Sequence, residues 1–435
     1  MGLVAAIFWV YQREPPESSG GTPVIASNPS VSGFPPAFND PRDDLSQRPD
    51  FVEVCGVGRV RLQPSGDVGL PEIATAARQV VRQAAARLAA SSNDYDRAVG
   101  LYAQSVYAAE QALYDYAVAR PGCERDEQCE REAMTFAQEA SAAATDQLAR
   151  HAVGSRSPGI YALAFYRCRR WAEPAPASGA CAQISSAQWA QIEPDNATPW
   201  LYEAAVAARR KDAKSVDEAL LRASRAQALR LHDEAPLRLT DHSILRTDDP
   251  ATTAMAYYQL VGMRAALPAP DFQLVAQHCL PSAAMDGSRR LLCSDLAAVL
   301  AERSSALISM QIGVRIGERA GWSPQRVAAV RDRLNAISQV SAESFDPKDP
   351  YSCRALELSN KRLTELFRLG EVGAAERLIQ ASGKSIAVLA REWTDSHPSR
   401  TPSTDYPGVQ VEGLRPLVIR AQPPAHADNV PAKHQ

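Results

Sequence analysis

The stretch that most constrains this chain runs from Trp189 to Ala228, WAQIEPDNATPWLYEAAVAARRKDAKSVDEALLRASRAQA. It reads as the end of one helix, a tight turn at Pro194-Asp195-Asn196, and then a complete antiparallel helix hairpin. Leu201, Ala204, Ala205 and Ala208 recur at helical spacing in the first helix. Thr198 stands where its hydroxyl would cap that helix, and Pro199 takes the first helical position, where no amide donor is needed. The run Arg209-Arg210-Lys211-Asp212 suits a helix C-terminus, where cations meet exposed carbonyls. Ser215 is the expected cap of the second helix, whose apolar face is Val216, Ala219, Leu220 and Ala223. Small residues at the crossing let the two helices approach closely. Asn196-Ala197-Thr198 matches a glycosylation acceptor, but its place in the turn makes Asn196 a turn residue.

In these residues the hairpin resembles a tetratricopeptide repeat. Trp200 falls at that repeat's early large position, Ala204 at its small first-helix position, Ala223 at its late small position, and Pro194 at the proline that ends a preceding repeat. Val216 departs from the pattern, where a small residue is usual, as does the turn, which lacks glycine. A second hairpin, Ser359 to Ser382, has Gly370 in its turn, Ala375 at the second-helix small position and Ile379 one turn later. No constant period links the two, as a regular array would require. The resemblance covers only these hairpins. It implies an all-α fold, an irregular stack of antiparallel helix hairpins forming a TPR-like superhelix, with one short N-terminal β segment. It also implies a concave surface for a protein or peptide partner. Trp200, Tyr202, Arg209 and Arg210 are the candidate contacts, with core packing the rival role for Trp200.

At 435 residues the chain exceeds the size of one compact core, so two lobes or an extended stack are expected. Gly2 to Tyr11 is apolar but shorter than the roughly 20 residues of a membrane span. It has the length of a signal-peptide core but neither a preceding cation nor a small-residue cleavage site. Residues 1–12 are therefore expected to be a signal or anchor remnant touching the membrane, the tail of a helix that begins upstream. Residues 13–50, rich in Pro, Gly, Ser and Asn, read as a disordered linker. Residues 51–66 hold the strand candidate FVEVCGVGRVRL, which must pair with a short partner or lie along the first helices. Residues 67–395 form the helical-repeat domain and 396–435 a disordered tail.

Within the helical part, three stripes carry the i, i+3, i+4 pattern: Ile73, Ala77, Val80, Val81, Ala84 and Leu88; Val99, Tyr102, Val106, Ala109, Leu113 and Tyr116; Ala133, Phe136, Ala140, Ala144 and Leu148. Later helix starts repeat a capping side chain before proline, at Asp249-Pro250, Ser323-Pro324 and Asp349-Pro350.

The cysteines number eight. Cys123 and Cys129, Cys168 and Cys181, and Cys279 and Cys293 each flank a break between helices, which leaves Cys55 and Cys353 for a long-range pair. Disulfides in this pattern would mean an oxidising compartment. Free core cysteines are the alternative. Zinc is the weakest reading, because no spacing matches a metal knuckle.

Little here points to chemistry. The formal net charge of −3 gives no case for nucleic acid, and Arg167, Arg169, Arg170, Arg289 and Arg290 read as solvated helix faces. Gly56-x-Gly58 lacks the third glycine of a dinucleotide loop, and Gly383-Lys384-Ser385 lacks the first glycine of a phosphate loop. His232, Asp233, Glu234, Asp241 and His242 could in principle bind a divalent metal, but a solvated loop is the expectation. No catalytic residue, metal site or cofactor is assigned. The sequence points to a non-catalytic interaction or scaffold module of the bacterial envelope, membrane-tethered, and periplasmic or secreted. An envelope enzyme acting on cell-wall glycan is the alternative, and it would need paired carboxylates in one groove.

Overall fold

A computed structural model describes residues 51–61, 71–120, 127–169, 179–241, 243–245, 247–280, 286–343 and 352–397. The remaining stretches, among them the apolar N-terminal run, the linker, the C-terminal tail, Cys123, Arg170, His242 and the Asp349-Pro350 cap, lie outside the described residues. The fold is all-α except for one short hairpin. Its strands β1 (Phe51–Val54) and β2 (Gly58–Arg61) pair antiparallel, Phe51 opposite Arg61 and Val54 opposite Gly58. The predicted single strand thus folds back on itself. Gly56 and Gly58 sit at φ 80° and 92°, a backbone that glycine adopts without steric penalty, and so Gly56-x-Gly58 makes the turn.

In chain order the helices are α1 (Pro71–Ala89), α2 (Asp94–Ala119), α3 (Glu127–Val153), α4 (Pro158–Arg169), α5 (Ser186–Ile192), α6 (Ala197–Arg209), α7 (Ala213–Ser224), α8 (Pro250–Ala265), α9 (Phe272–His278), α10 (Gly287–Glu302), α11 (Leu307–Arg319), α12 (Pro324–Glu343), α13 (Cys353–Ser382) and α14 (Ile386–Ser396). Single-turn 3-10 helices stand at Gly179–Gln183 and Ala235–Thr240.

Three apolar cores divide these elements. The first joins α1, α2, the second half of α3, α4, the start of α5, α8 and the first half of α13. A second joins α6, α7, α9, α10, α11 and the start of α12. The third, smaller core lies among α11, α12, α14 and the second half of α13. This division explains the break in α13. Gly370, at φ 71°, stands between Leu363 and Leu366 in the first core and Val372, Ala375 and Ile379 in the third, with Ala374 beyond it still reaching the first. The predicted turn is therefore present but tight, two helical segments joined at the single non-helical residue Gly370.

Alanine and glycine set the closeness of the crossings. A Cβ on Gly100 of α2 would lie 2.1 Å from the Ala89 amide nitrogen of α1, and one on Gly313 of α11 would lie 2.5 Å from that of Ala301 in α10. At both crossings backbone meets backbone.

Helix starts follow side-chain capping, though not always by the expected residue. Asn196, not Thr198, caps α6, and Asp212, not Ser215, caps α7 by accepting the Ser215 amide. Asp249 and Ser323 cap α8 and α12 as predicted. Of the predicted stripes, the first two face the core, whereas the third is out of phase. Phe136 is 44% exposed, and of that stripe only Leu148 is fully buried; α3 otherwise buries Ala137, Ser141, Ala149 and Ala152.

Three disulfides close within the described residues: Cys55–Cys353, Cys168–Cys181 and Cys279–Cys293. Cys129 is also disulfide-bonded, and no described cysteine is free. Such bonds persist outside the reducing cytoplasm, which places the chain in an oxidising, extracytoplasmic setting.

Candidate functional site

The segment from Ala226 to Leu245 contains no α-helix, yet it is the keystone of the fold. Ala226, Leu229 and Leu231 belong to the second core, while Ala235, Leu237, Leu239, Ile244 and Leu245 belong to the first. Its own backbone pairs with two neighbours. Ala197 N–H donates to the Ala228 carbonyl at 2.8 Å, and Leu229 N–H donates to the Arg303 carbonyl at 3.1 Å.

Asn196 holds this strap in place. Its Oδ1 accepts the Thr198 and Arg230 amides at 3.2 and 2.9 Å, and its Nδ2 donates to the Arg230 carbonyl and to Glu193 Oε2, both at 2.9 Å. The residue is fully buried, so it serves as a bracket between chain segments and not merely as a turn residue. Thr198, the predicted cap, is buried beside it with its hydroxyl unpartnered.

Glu193 is the anionic centre of the bracket. It accepts from Trp189 Nε1 at 3.2 Å and Asn196 Nδ2 at 2.9 Å, meets His232 Nε2 at 3.0 Å, and reaches Arg230 at 3.4 Å. Burial pushes its carboxyl up, but the hydrogen bonds from His232, Asn196 and Trp189 outweigh burial and leave it below the usual range. His232 adopts φ 55°, a strained left-handed backbone that turns the strap toward Glu193. Trp189, Phe165, Tyr166 and Tyr202 pack as an aromatic cluster above this pair, with ring centroids 4.9–6.2 Å apart.

The neighbouring charges His232, Asp233, Glu234 and Arg238 are half-buried, which corrects the expectation of a solvated loop for them, whereas Asp241 is exposed as expected. Asp233 pairs with Arg264 of α8 at 2.6 Å, and Arg238 grips Asp96 of α2 with two bonds, at 2.8 and 3.2 Å. Burial, reinforced by neighbouring Asp233, holds the Glu234 carboxyl above the usual range. Burial does the same for Glu371, which accepts the Leu307 amide at 3.0 Å. That bond gives α11 the cap its own Ala306 cannot supply. Arg167, predicted on a solvated face, is 1% exposed and donates to the Ser105 carbonyl. Among the described residues no group of three or more His, Cys, Asp or Glu side chains is placed to hold a metal.

The four predicted contact residues divide into two pairs. Trp200 donates its indole N–H to the Pro194 carbonyl at 3.0 Å and carries the Arg222 guanidinium over its ring at 4.9 Å. Tyr202 turns into the aromatic cluster and donates to the Pro268 carbonyl at 2.7 Å. Arg209 and Arg210 are exposed at the other end of α6, about 14 Å along the axis from Trp200 at 1.5 Å per residue. The structure therefore does not bring the two arginines onto the surface of the two aromatics.

Those arginines instead share an end with Lys211, read from the sequence as part of the same basic run, and with Lys214, which the sequence pattern does not single out. Lys211 and Lys214 are exposed beside them. Lys211 ends α6 at φ 59°, donating to the Ala208 carbonyl at 2.9 Å while Asp212 donates to that of Ala207 at 3.0 Å. This is the Schellman turn, whose left-handed residue is usually glycine. The basic run and the absence of glycine from the turn are the sequence signals of this site. Asp217, one turn into α7, lies 4.0 Å from Arg289 and 3.5 Å from His278, which brings the start of α10 alongside.

A second surface lies on the α2–α3 pair, whose helices run 26 and 27 residues. A groove of about 420 Å³ is lined by Tyr116, Arg120, Arg131, Glu132, Phe136 and Glu139. Tyr116 donates to Glu132 at 2.7 Å, as does Arg120.

Comparison of the chain with known protein families, with characterised proteins and with solved structures finds no match. The tetratricopeptide resemblance therefore rests on the hairpin's own residues. No helix among the described residues is long and apolar enough to cross a membrane.

Proposed function

We propose that this protein is a non-catalytic scaffold of the cell envelope, built as a degenerate TPR-like stack. It would work outside the cytoplasm, tethered to the membrane through its N-terminal segment, and would bind a protein or peptide partner. One observation carries this reading. The α6–α7 hairpin, whose small residues Ala204, Ala219 and Ala223 are buried at its crossing, leaves its cationic turn in solvent. Helical stacks that bind partners divide their residues in the same way, burying one face between neighbours and presenting the rest. The disulfides support the compartment, and a linker of the Pro-, Gly- and Ser-rich composition found ahead of Phe51 would let the folded part stand away from a membrane.

The test is site-specific photocrosslinking in the native envelope, with the probe placed at Arg210 and, as a control, at Arg315 on α11. A discrete adduct from Arg210 alone supports the scaffold. No adduct from any exposed position of α6 and α7 would sink it.

A further inference from the structure

The composition of the cationic turn narrows the class of partner, a step that rests on the scaffold reading. Arg209, Arg210, Lys211 and Lys214 crowd one helix–helix turn, and Asp212, the carboxylate within the turn itself, is engaged in capping α7 through Ser215 at 3.1 and 2.6 Å. Arg289 extends the cationic surface across Asp217, with Arg290 exposed next to it. All of this stands on a molecule whose net charge is −3. Two apolar side chains border it: Leu221 on the Asp217 face of α7 is 40% exposed, and Leu291 on α10 is 67% exposed.

Backbone strain is an independent observation. A lysine at φ 59° occupies a position where glycine would be relaxed. Glycine at 211 would relieve the turn and delete a cation from the cluster, so the strain buys a charged side chain at this spot. Neither Arg210 nor Lys211 forms an ion pair among the described residues.

We infer that this end of α6–α7, together with the start of α10, is the docking surface for an acidic peptide segment that also carries apolar residues. Carboxylates would meet Arg209, Arg210, Lys211 and Arg289, with Arg side chains offering two-point contact. Leu221 and Leu291 would take the apolar positions. A protein segment suits this surface better than an anionic bilayer, because Asp217 and Glu218, facing Arg289 and Arg222, divide the cations into patches that a single segment can follow and a continuous layer of phosphates cannot.

The probe is a labelled peptide of Glu, Leu and Ala, titrated into the full chain and followed by fluorescence anisotropy. A Lys-for-Glu counterpart and mixed anionic vesicles run alongside. The acidic peptide should bind, with affinity falling as salt rises, and the Arg210→Glu/Lys211→Glu variant should lose roughly tenfold or more. Lys211→Gly should weaken binding while melting no lower than the parent, which separates lost contact from lost fold. Equal binding of the basic peptide, undiminished binding by the charge-reversed variant, or binding to vesicles alone would each overturn the assignment. Crosslinks from a probe at exposed Lys214 that persist in the charge-reversed chain would leave the scaffold standing and refute only the acidic partner.

Discussion

Replacing Asn196 by alanine should be among the most damaging single changes in this protein, although the residue sits in a short turn far from any long helix interior. Its side chain makes four hydrogen bonds, three of them to backbone groups and one to the Glu193 carboxylate. A neutral bond contributes about 1 kcal/mol and one to a charged group about 2 kcal/mol. The sum is about 5 kcal/mol, because the site is fully buried and water cannot replace the lost partners. Most single substitutions cost far less. Asn196→Asp supplies the control. It keeps both accepting bonds, loses both donating ones, and sets a second carboxylate against Glu193, so its deficit should shrink as pH falls. Urea unfolding gives the magnitude, and amide exchange at Ala228 and Arg230 locates it. An alanine variant within about 1 kcal/mol of the parent, with those amides still protected, would refute the bracket.

Other consequences arise from the same geometry. Because the Glu193 carboxyl is held below its usual range, its contribution is present above that range and lost as pH falls through the folded value. The stability gap between the parent and Glu193→Gln, followed by thermal melts from neutral to acid pH, should therefore narrow. Gly100→Ala should lower stability by about 3 kcal/mol or more, since its methyl group would enter the Ala89 backbone at 2.1 Å; a near-parent melt would show that the α1–α2 crossing is looser than described. The Cys55–Cys353 bond spans 298 residues against 13 and 14 for the other two. In the chain-entropy model that is about 5–6 kcal/mol against about 3, so paired serine variants should melt lowest for Cys55/Cys353.

What the sequence reveals and what it hides differ for physical reasons. Helix positions and the first two buried stripes are legible because Val, Leu and Tyr stand out against polar neighbours at helical spacing. On α3 alanine lies on every side, so Ala133–Phe136–Ala140 looks no worse than the face that is buried, Ala137 and Ser141. Caps are missed by two or three residues where capping types stand close together, Asn196 near Thr198 and Asp212 near Ser215. Cys168–Cys181 and Cys279–Cys293 can be read because each flanks a single helix break, which leaves Cys55 and Cys353 to each other. Nothing local reveals the strap at 226–245, whose charges resemble those of a solvated loop. His232, Asp233 and Arg238 are half-buried because their partners, Glu193, Arg264 and Asp96, arrive from distant parts of the chain. The basic turn is legible as cations at Arg209 and Arg210. Its extension to Arg289 depends on helix packing that no local pattern encodes.

An oxidised, extracytoplasmic chain underlies both the fold and the scaffold reading, and counting thiols tests it most directly. Protein isolated from its native host would be denatured and titrated with and without reductant. Near-zero free thiols before reduction and eight after it are predicted. Eight free thiols before reduction would contradict the disulfide framework, and the envelope reading would fall with it.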